Sequence, residues 1–135
     1  MISISYDKEL DAAIFTFAGD RDYAEVCAAI TEYYKGPLTK YTLWDFTKVD
    51  NSKQLSSEET QKIGLHAESY KHFRPNGVDI LVVPSLLQYG LARMYFGYSE
   101  KYGDKTKKAK TKIFRSKEDA IAFMKKNNAF SQDTI

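Results

Sequence analysis

The stretch that decides the fold is residues 77–84, Gly-Val-Asp-Ile-Leu-Val-Val-Pro, followed by residues 85–102, Ser-Leu-Leu-Gln-Tyr-Gly-Leu-Ala-Arg-Met-Tyr-Phe-Gly-Tyr-Ser-Glu-Lys-Tyr. The run from Ile80 to Val83 has no polar residue, which is typical of a strand buried on both faces. Pro84 ends this strand, and the Ser85 hydroxyl can cap a following helix. A buried strand that leads into a long helix is half of a βαβ unit, so this stretch predicts a parallel sheet.

Before this stretch, strands and helices alternate along the chain. Residues Ile2–Tyr6 and Ala12–Phe17 alternate apolar with polar positions and predict a β-hairpin. A helix is predicted to begin at Gly19 and Asp20, and Tyr23, Cys27, Ile30 and Tyr34 share one face of it. On that face Cys27 is interpreted as part of the core and not as a nucleophile.

The remaining elements continue the alternation. Tyr41–Val49 reads as a third strand, and Ser56 with Glu59 three residues later forms a capping-box pattern that opens a helix. After the central strand and its helix, Lys110–Phe114 predicts an edge strand and Ser116 caps a final helix. The predicted order is β-β-α-β-α-β-α-β-α, an α/β fold with a mixed, mostly parallel sheet of about five strands, an N-terminal hairpin and four helices.

Length and composition indicate one soluble domain. The 135 residues are assigned to a single domain over 1–126 and a C-terminal tail over 127–135. No run reaches the ~20 apolar residues of a membrane span, and no secretory signal is visible at the N-terminus. The one cysteine cannot form an internal disulfide. These features predict a cytoplasmic protein.

Basic residues are concentrated between Lys101 and Lys117, where eight lysines and arginines accompany one acidic residue, Asp104. One interpretation is a surface for an anionic partner. The other is that these lysines solvate a loop and protect a sheet edge from pairing with another strand. Because aromatic interleaving and a recognisable binding motif are both absent from the sequence, nucleic-acid binding is not predicted.

The sequence contains no motif that specifies a reaction. A phosphate-binding glycine loop, a Gly-x-Ser-x-Gly turn and a His-Glu-x-x-His pair are all absent from the sequence. His66 and His72 are six residues apart, about 120° around a helix, which does not favour a shared metal. No catalytic residue, metal or cofactor is predicted.

Topology nevertheless points to one place where a ligand would bind. Sites in open α/β sheets lie beyond the carboxyl ends of the parallel strands. That edge is predicted to carry pocket residues from two strand ends and hydroxyls from helix N-termini, and the latter can bind an anion or accept a phosphate. The pocket candidates are Asp45, Thr47, Asn51 and Ser85, and the anion or phosphoacceptor candidates are Ser56 and Ser57.

The helix predicted after Ser85 has apolar residues on two sides. One stripe suits the sheet, whereas Tyr89 and Phe96 lie on the opposite side. A second apolar stripe on a surface helix is usually covered by another element. The cover is a second copy or other partner, which would also contact Arg93, the C-terminal tail with Phe130, or an element that closes over a ligand.

Several segments resemble the SpoIIAA-like family within the STAS and CRAL-TRIO-type superfold, in particular its small stand-alone bacterial members. The resemblance covers nearly the whole chain. It is carried by Trp44-Asp45-Phe46, by residues 78–84, by Tyr-Gly-Leu-Ala-Arg-Met-Tyr at 89–95, and by Ile-Phe-Arg-Ser-Lys-Glu-Asp-Ala-Ile-Ala-Phe at 113–123.

This resemblance implies a β-α superhelical domain with about five strands. For the anti-sigma-factor antagonists it also implies binding to a partner protein, controlled by phosphorylation of a serine at the N-terminus of the second helix. Ser56 and Ser57 stand at about that place, although the Asp-Ser-x-Gly run of those proteins is absent.

Three functional hypotheses follow. The first is a non-enzymatic binding or regulatory module that acts through a protein partner or as a homodimer. The second is a carrier of a small apolar ligand or lipid, as the lipid-carrying relatives imply. The third is an enzyme with its site around Asp45 and Ser57, which ranks last because no nucleophile–base pair or metal set is visible.

Overall fold

The computed structural model describes residues 2–19, 22–49, 56–85 and 110–133. In chain order its elements are β1 (Ile2–Asp7), β2 (Ala12–Gly19), α1 (Tyr23–Lys35), β3 (Tyr41–Val49), α2 (Ser57–Glu68), a 3₁₀ turn (Lys71–Phe73), β4 (Val78–Val82), β5 (Lys110–Phe114) and α3 (Lys117–Asp133).

The five strands form one mixed sheet in the order β1-β2-β3-β4-β5. Strands β1 and β2 pair antiparallel, and each later neighbour pairs parallel. The hairpin turn is held by the Asp7 carboxylate, which accepts a hydrogen bond of 3.1 Å from the Leu10 amide. These features confirm the predicted hairpin followed by parallel crossovers.

The central stretch is an interior strand, as predicted. Strand β4 lies between β3 and β5, with Ile80 paired to Leu43 on one side and Lys112 on the other. Ile80 and Val82 are completely buried. An unbroken apolar run suits this position because both faces of the strand are covered.

The sheet separates two hydrophobic clusters. On the α1 and α2 side, Phe15 and Phe17 stack on Trp44, and Phe17 also stacks on Phe46. On the other side, residues of β2, β3 and β4 pack with Ala120 and Met124 of α3. Helices on both faces of the sheet are the arrangement that alternating strands and helices predict.

Helix α1 begins three residues later than predicted and turns a slightly different face to the sheet. Asp22 is its N-cap and accepts a hydrogen bond of 3.1 Å from the Ala24 amide. The buried residues are Val26, Ile30 and Tyr33. The predicted stripe through Cys27 is therefore rotated by about one residue (~100°), because the sheet contact and not the local pattern selects the buried face.

Cys27 is only partly buried, which corrects its assignment to the core. Burial raises the pKa of the Cys27 thiol, and a hydrogen bond with Tyr23 offsets part of this effect. A raised pKa disfavours the thiolate, the nucleophilic form of cysteine.

Helix α2 opens as predicted. The Ser56 hydroxyl accepts a hydrogen bond from the Glu59 amide, and the Glu59 carboxylate accepts one from the Ser56 amide, both at 3.1 Å. Ile63, Ala67 and Tyr70 pack against the hydrophobic cluster on the α1 and α2 side of the sheet, which confirms the predicted core stripe.

The helix predicted from Ser85 lies almost entirely outside the described residues, so three α-helices are described where four were predicted. The tail predicted after Lys126 is instead helical as far as Asp133. Residues Asn127 and Asn128 explain this difference, because their side-chain amides bond the Tyr41 hydroxyl and the Leu10 carbonyl. These tertiary contacts hold a segment whose polar composition alone favours fraying.

Candidate functional site

The carboxyl edge of the sheet is organised around Asp45, a residue of β3 that pairs in register with Val82, the last residue of β4. Its carboxylate is buried and accepts hydrogen bonds from the Thr47 amide at 2.9 Å and the Thr47 hydroxyl at 2.6 Å. Both donors belong to a residue of the same strand, and they replace the hydration that the carboxylate loses on burial.

Lys117 completes the charge balance at this edge. Its ammonium group lies 3.7 Å from Asp45, on the first turn of α3. A helix N-terminus is the less favourable end for a cation, and the Asp45 carboxylate offsets this. Lys117 was part of the predicted basic run, but its partner on a strand 72 positions earlier is not visible in local sequence.

The end of β4 lies beside the end of β5. The Val83 amide donates to the Phe114 carbonyl at 2.9 Å, and the Arg115 guanidinium donates to the Pro84 carbonyl at 3.1 Å. Ser85, a predicted pocket residue, follows directly and is partly buried. The carboxyl edge thus combines the cations of Arg115 and Lys117 with one buried carboxylate.

The two predicted serines lie at the start of α2. In the described part of the chain, the side-chain hydrogen bond of Ser56 stays within the first turn of its own helix. Ser57 is exposed. Neither serine is joined to Asp45 by a hydrogen bond within the described ranges. Asn51 and the predicted partner surface of Tyr89, Arg93 and Phe96 lie outside those ranges.

A second polar centre, which sequence analysis missed, lies at the amino ends of the strands. Arg74 is buried, and its guanidinium contacts the Asp79 carboxylate at 2.8 Å. It also donates to the Thr39 carbonyl at 2.8 Å and the Lys40 carbonyl at 2.7 Å. The acidic residue inside the apolar run of β4 was the available signal, because a buried carboxylate requires a partner.

The charge of Arg74 is stabilised by this surrounding. Burial acts to lower the pKa of Arg74, but the attraction and hydrogen bond of Asp79, with contributions from Tyr33 and Tyr34, raise it overall. The Thr42 hydroxyl donates to Asp79 at 2.6 Å and accepts from the Trp44 indole at 2.9 Å. The result is a connected network under α1, whose role is to hold strand ends together.

A cavity of about 490 Å³ opens at the same amino edge, on the α3 side of the sheet. Most of its described lining is polar and includes two ammonium groups. The described lining residues are Lys40, Asn76, Gly77, Val78, Lys112, Phe123 and Asn127. This lining matches a small anion better than the apolar ligand that was predicted.

The ends of α1 and α2 carry an aromatic patch, defined here as Tyr34, His66, Tyr70, His72 and Phe73. Tyr34 stacks on Tyr70 with ring centroids 4.7 Å apart, and both approach Phe73. His66 joins the patch to α1, since its imidazole lies 3.0 Å from the Thr31 hydroxyl. The side chain of Phe73 is 56% exposed, so the patch presents an aromatic ring to solvent.

Two classes of site are not found in the described residues. Histidine, cysteine and acidic side chains form no group of three that would hold a metal ion within these ranges. Among the described helices, none has the length and apolar content that crossing a bilayer requires.

Comparison with known proteins gives no match by sequence and clear matches by structure. No model of a protein family matches the chain, and no curated protein matches it. An uncharacterised protein of the DUF3478 family from Shewanella loihica PV-4, described as having a SpoIIAA-like fold, superposes with a TM-score of 0.54. The sequence identity is 20%, and the match covers 92% of each chain.

Two structures of SpoIIAA itself match with lower scores. The unphosphorylated anti-sigma factor antagonist SpoIIAA has a TM-score of 0.48 and 16% identity, over 93% of this chain and 98% of its own. The phosphorylated Bacillus cell fate determinant SpoIIAA has a TM-score of 0.48 and 19% identity, over 90% and 97%. The five-stranded sheet with its antiparallel first pair and the match to the Shewanella protein together establish that this chain has a SpoIIAA-like fold.

Proposed function

We propose that the protein is a non-enzymatic binding or regulatory module that acts through contact with another protein. The observation that carries the proposal is the aromatic patch, where Phe73 is 56% exposed beside the stacked rings of Tyr34 and Tyr70. Aromatic side chains that are already ordered lose little conformational entropy on binding, and for this reason they are frequent at the centres of interfaces.

The polar side chains that could take part in a reaction also support this proposal. The Asp45 carboxylate is held by Thr47 and Lys117, and the Ser56 hydroxyl is held by the helix cap. An enzyme site around Asp45 and Ser57 would bring the hydroxyl and a base within hydrogen-bond reach. No hydrogen bond joins these two residues in the described part of the chain.

The test compares two exposed apolar side chains. Phe73→Ser removes the exposed ring of the patch, whereas Leu65→Ser removes a similarly exposed apolar side chain that is not one of the aromatic residues of the patch. We expect proteins retained by immobilised wild-type and Leu65→Ser chains to be lost with Phe73→Ser. Retention of the same proteins by all three chains would contradict the proposal, provided that circular dichroism shows equal folding.

We further propose that phosphorylation of Ser57 regulates this module. Its hydroxyl is exposed at the first position of α2, where a helix dipole favours negative charge, although Glu58 and Glu59 would repel an added phosphate. Phosphorylation of Ser56 would instead displace the capping box. We expect Ser57→Asp, and not Ser57→Ala, to weaken binding to a retained partner. Equal affinities for the two variants would exclude this regulation.

A small ligand is the second candidate, and the cavity at the amino edge favours an anion. Lys40 and Lys112 line the cavity with Asn76 and Asn127. We expect inorganic pyrophosphate to raise the melting temperature of the wild-type protein and of a Lys62→Gln control, but not of a Lys40→Gln, Lys112→Gln double variant. An equal rise in all three would place the anion elsewhere. The apolar ligand stays a prediction, which native mass spectrometry of the purified protein tests.

A further inference from the structure

The two edges of the sheet differ in how they are protected. Strand β5, at one edge, has the sequence Lys-Thr-Lys-Ile-Phe, and Lys112 is exposed. Strand β1, at the other edge, has the sequence Ile-Ser-Ile-Ser-Tyr-Asp over Ile2–Asp7. Edge strands that remain single usually carry lysine, proline or a bulge, and β1 has no lysine or proline.

The side chains of β1 fall into two rows. Ile2 and Ile4 pack against the hydrophobic cluster on the α1 and α2 side of the sheet. Tyr6 is on the same face of β1 but remains exposed. Ser3 and Ser5 point to the other face and are exposed. The inner side of the strand pairs with β2 over all six residues, and no other described strand pairs with β1, so among the described residues its outward side offers a regular row of backbone donors and acceptors.

We propose that a second copy of this chain pairs with β1 in antiparallel orientation, about a two-fold axis through Ile4 and perpendicular to the sheet. Residues directly opposite in such a pair lie on the same face of the combined sheet. The axis therefore places Ile4 opposite its own copy, Ile2 opposite Tyr6 of the second copy, and Ser3 opposite Ser5 of the second copy.

This register gives more apolar residues of β1 an apolar partner than the neighbouring registers do. All three apolar residues of the α1 face gain an apolar partner, including the exposed Tyr6, whereas an axis through Ser5 leaves Ile2 without one. The two Asp7 carboxylates lie beyond the ladder, where each is already bound to its own Leu10 amide. A two-fold pair also consumes both exposed edges and so closes without forming a filament.

Charged substitutions at the serines test both the contact and its register. Ser3→Lys with Ser5→Lys places ammonium groups opposite each other twice across the axis. Ser3→Lys with Ser5→Glu places opposite charges there instead. Within one chain these positions face Thr16 and Ile14, so neither double variant creates a charge pair with β2.

We expect the wild-type chain to sediment as a concentration-dependent dimer. The double-lysine variant should raise the dissociation constant about tenfold or more, because two like-charge contacts replace two neutral ones. The lysine–glutamate variant should remain dimeric. Three outcomes would overturn the proposal: a monomeric wild type at all concentrations, equal dissociation by both variants, or a dimer lost only with Tyr89→Asp and Phe96→Asp.

A crosslinking measurement does not depend on the stability of the charged variants. In a Cys27→Ser background, a mixture of Ser3→Cys chains and Ser5→Cys chains should be joined by a short bis-thiol reagent more efficiently than either chain alone. Equal crosslinking of all samples would reject the register. Phe73→Ser should leave the dimer unchanged, which separates this proposal from the binding function of the aromatic patch.

Discussion

Two ion pairs at opposite ends of the sheet differ in almost every respect. At the amino ends, Arg74 and Asp79 are 2.8 Å apart with side chains 3% and 14% exposed. At the carboxyl ends, Lys117 and Asp45 are 3.7 Å apart with side chains 45% and 6% exposed. The first pair is enclosed and makes further hydrogen bonds to two backbone carbonyls and to Thr42, whereas in the second pair the lysine side chain is largely in solvent.

This difference separates a structural network from an adaptable edge. Arg74 binds two backbone carbonyls of the segment before β3, so its position fixes where that strand begins relative to β4. The Lys117 side chain is 45% exposed and its ammonium group lies 3.7 Å from Asp45, so moving it would not disturb a buried cation. In an open α/β sheet the adaptable pair therefore lies at the edge where ligands and partners are expected.

Removing Arg74 should have the largest effect. Arg74→Met removes the cation that balances the Asp79 carboxylate and one donor from each of the Thr39 and Lys40 carbonyls, and breaking a buried pair costs about 3–5 kcal/mol. Urea denaturation would show the loss as a lower midpoint. Lys62→Met, which removes an exposed pair with Glu58, is the matched control and should change the free energy of unfolding by less than about 1 kcal/mol. Equal effects of the two variants would refute the structural role.

Gly77→Ala perturbs the same network without removing a charge. A Cβ atom at Gly77 would lie 2.8 Å from Cζ and 2.9 Å from Cβ of Arg74, so the buried guanidinium must move. We expect a loss of about 1–3 kcal/mol in the free energy of unfolding, measured by thermal or urea denaturation. Gly36→Ala is the control, since its nearest atom is the Tyr6 hydroxyl at 3.5 Å.

At the carboxyl edge, the loss of stability should depend on which member of the ion pair is replaced. Lys117→Met should cost less than about 1 kcal/mol because the ammonium is largely solvated. Asp45→Ala should cost more, about 1–3 kcal/mol, because it also leaves Thr47 without its acceptor. A loss with Lys117→Met as large as that of Arg74→Met would erase the distinction between the two edges.

The smallest effect is expected at high pH. Burial, reinforced by the Asp79 charge, raises the pKa of Tyr34 from 10.0 to about 12. The folded state holds the Tyr34 proton more tightly than the unfolded state does. The contribution of the protonated Tyr34 hydroxyl to stability is therefore complete below pH 10 and is lost as the pH rises towards 12. Tyrosinate absorbance should show a residue titrating near pH 12 that disappears in Tyr34→Phe. A titration without this late component would show that the hydroxyl is hydrated.

Prediction from sequence succeeded where one physical effect dominates. The apolar run of β4, the alternation of β1 and β2, and the capping box at Ser56 each encode a local preference that tertiary packing reinforces. Prediction failed at α1, where a rotation of one residue changes which side chain is buried. It also failed after Lys126, where Asn127 and Asn128 continue the helix through contacts with distant residues.

The candidate sites divide in the same way. Asp45 and Thr47 could be placed at the strand end because strand direction follows from chain order. The cationic partner of Asp45 could not, since Lys117 reaches it only after the crossovers bring separate segments together. Arg74 is five residues from Asp79 in the chain, but its side chain is held against that carboxylate by the Thr39 and Lys40 carbonyls of a distant segment.

The sequence by itself determined the order of strands and helices, because hydrophobic periodicity and helix caps act over a few residues. Tertiary structure alone decided which helix face is buried and which charges of separate segments are paired. Those properties depend on distances between residues far apart in the chain, and such distances exist only once the sheet has formed.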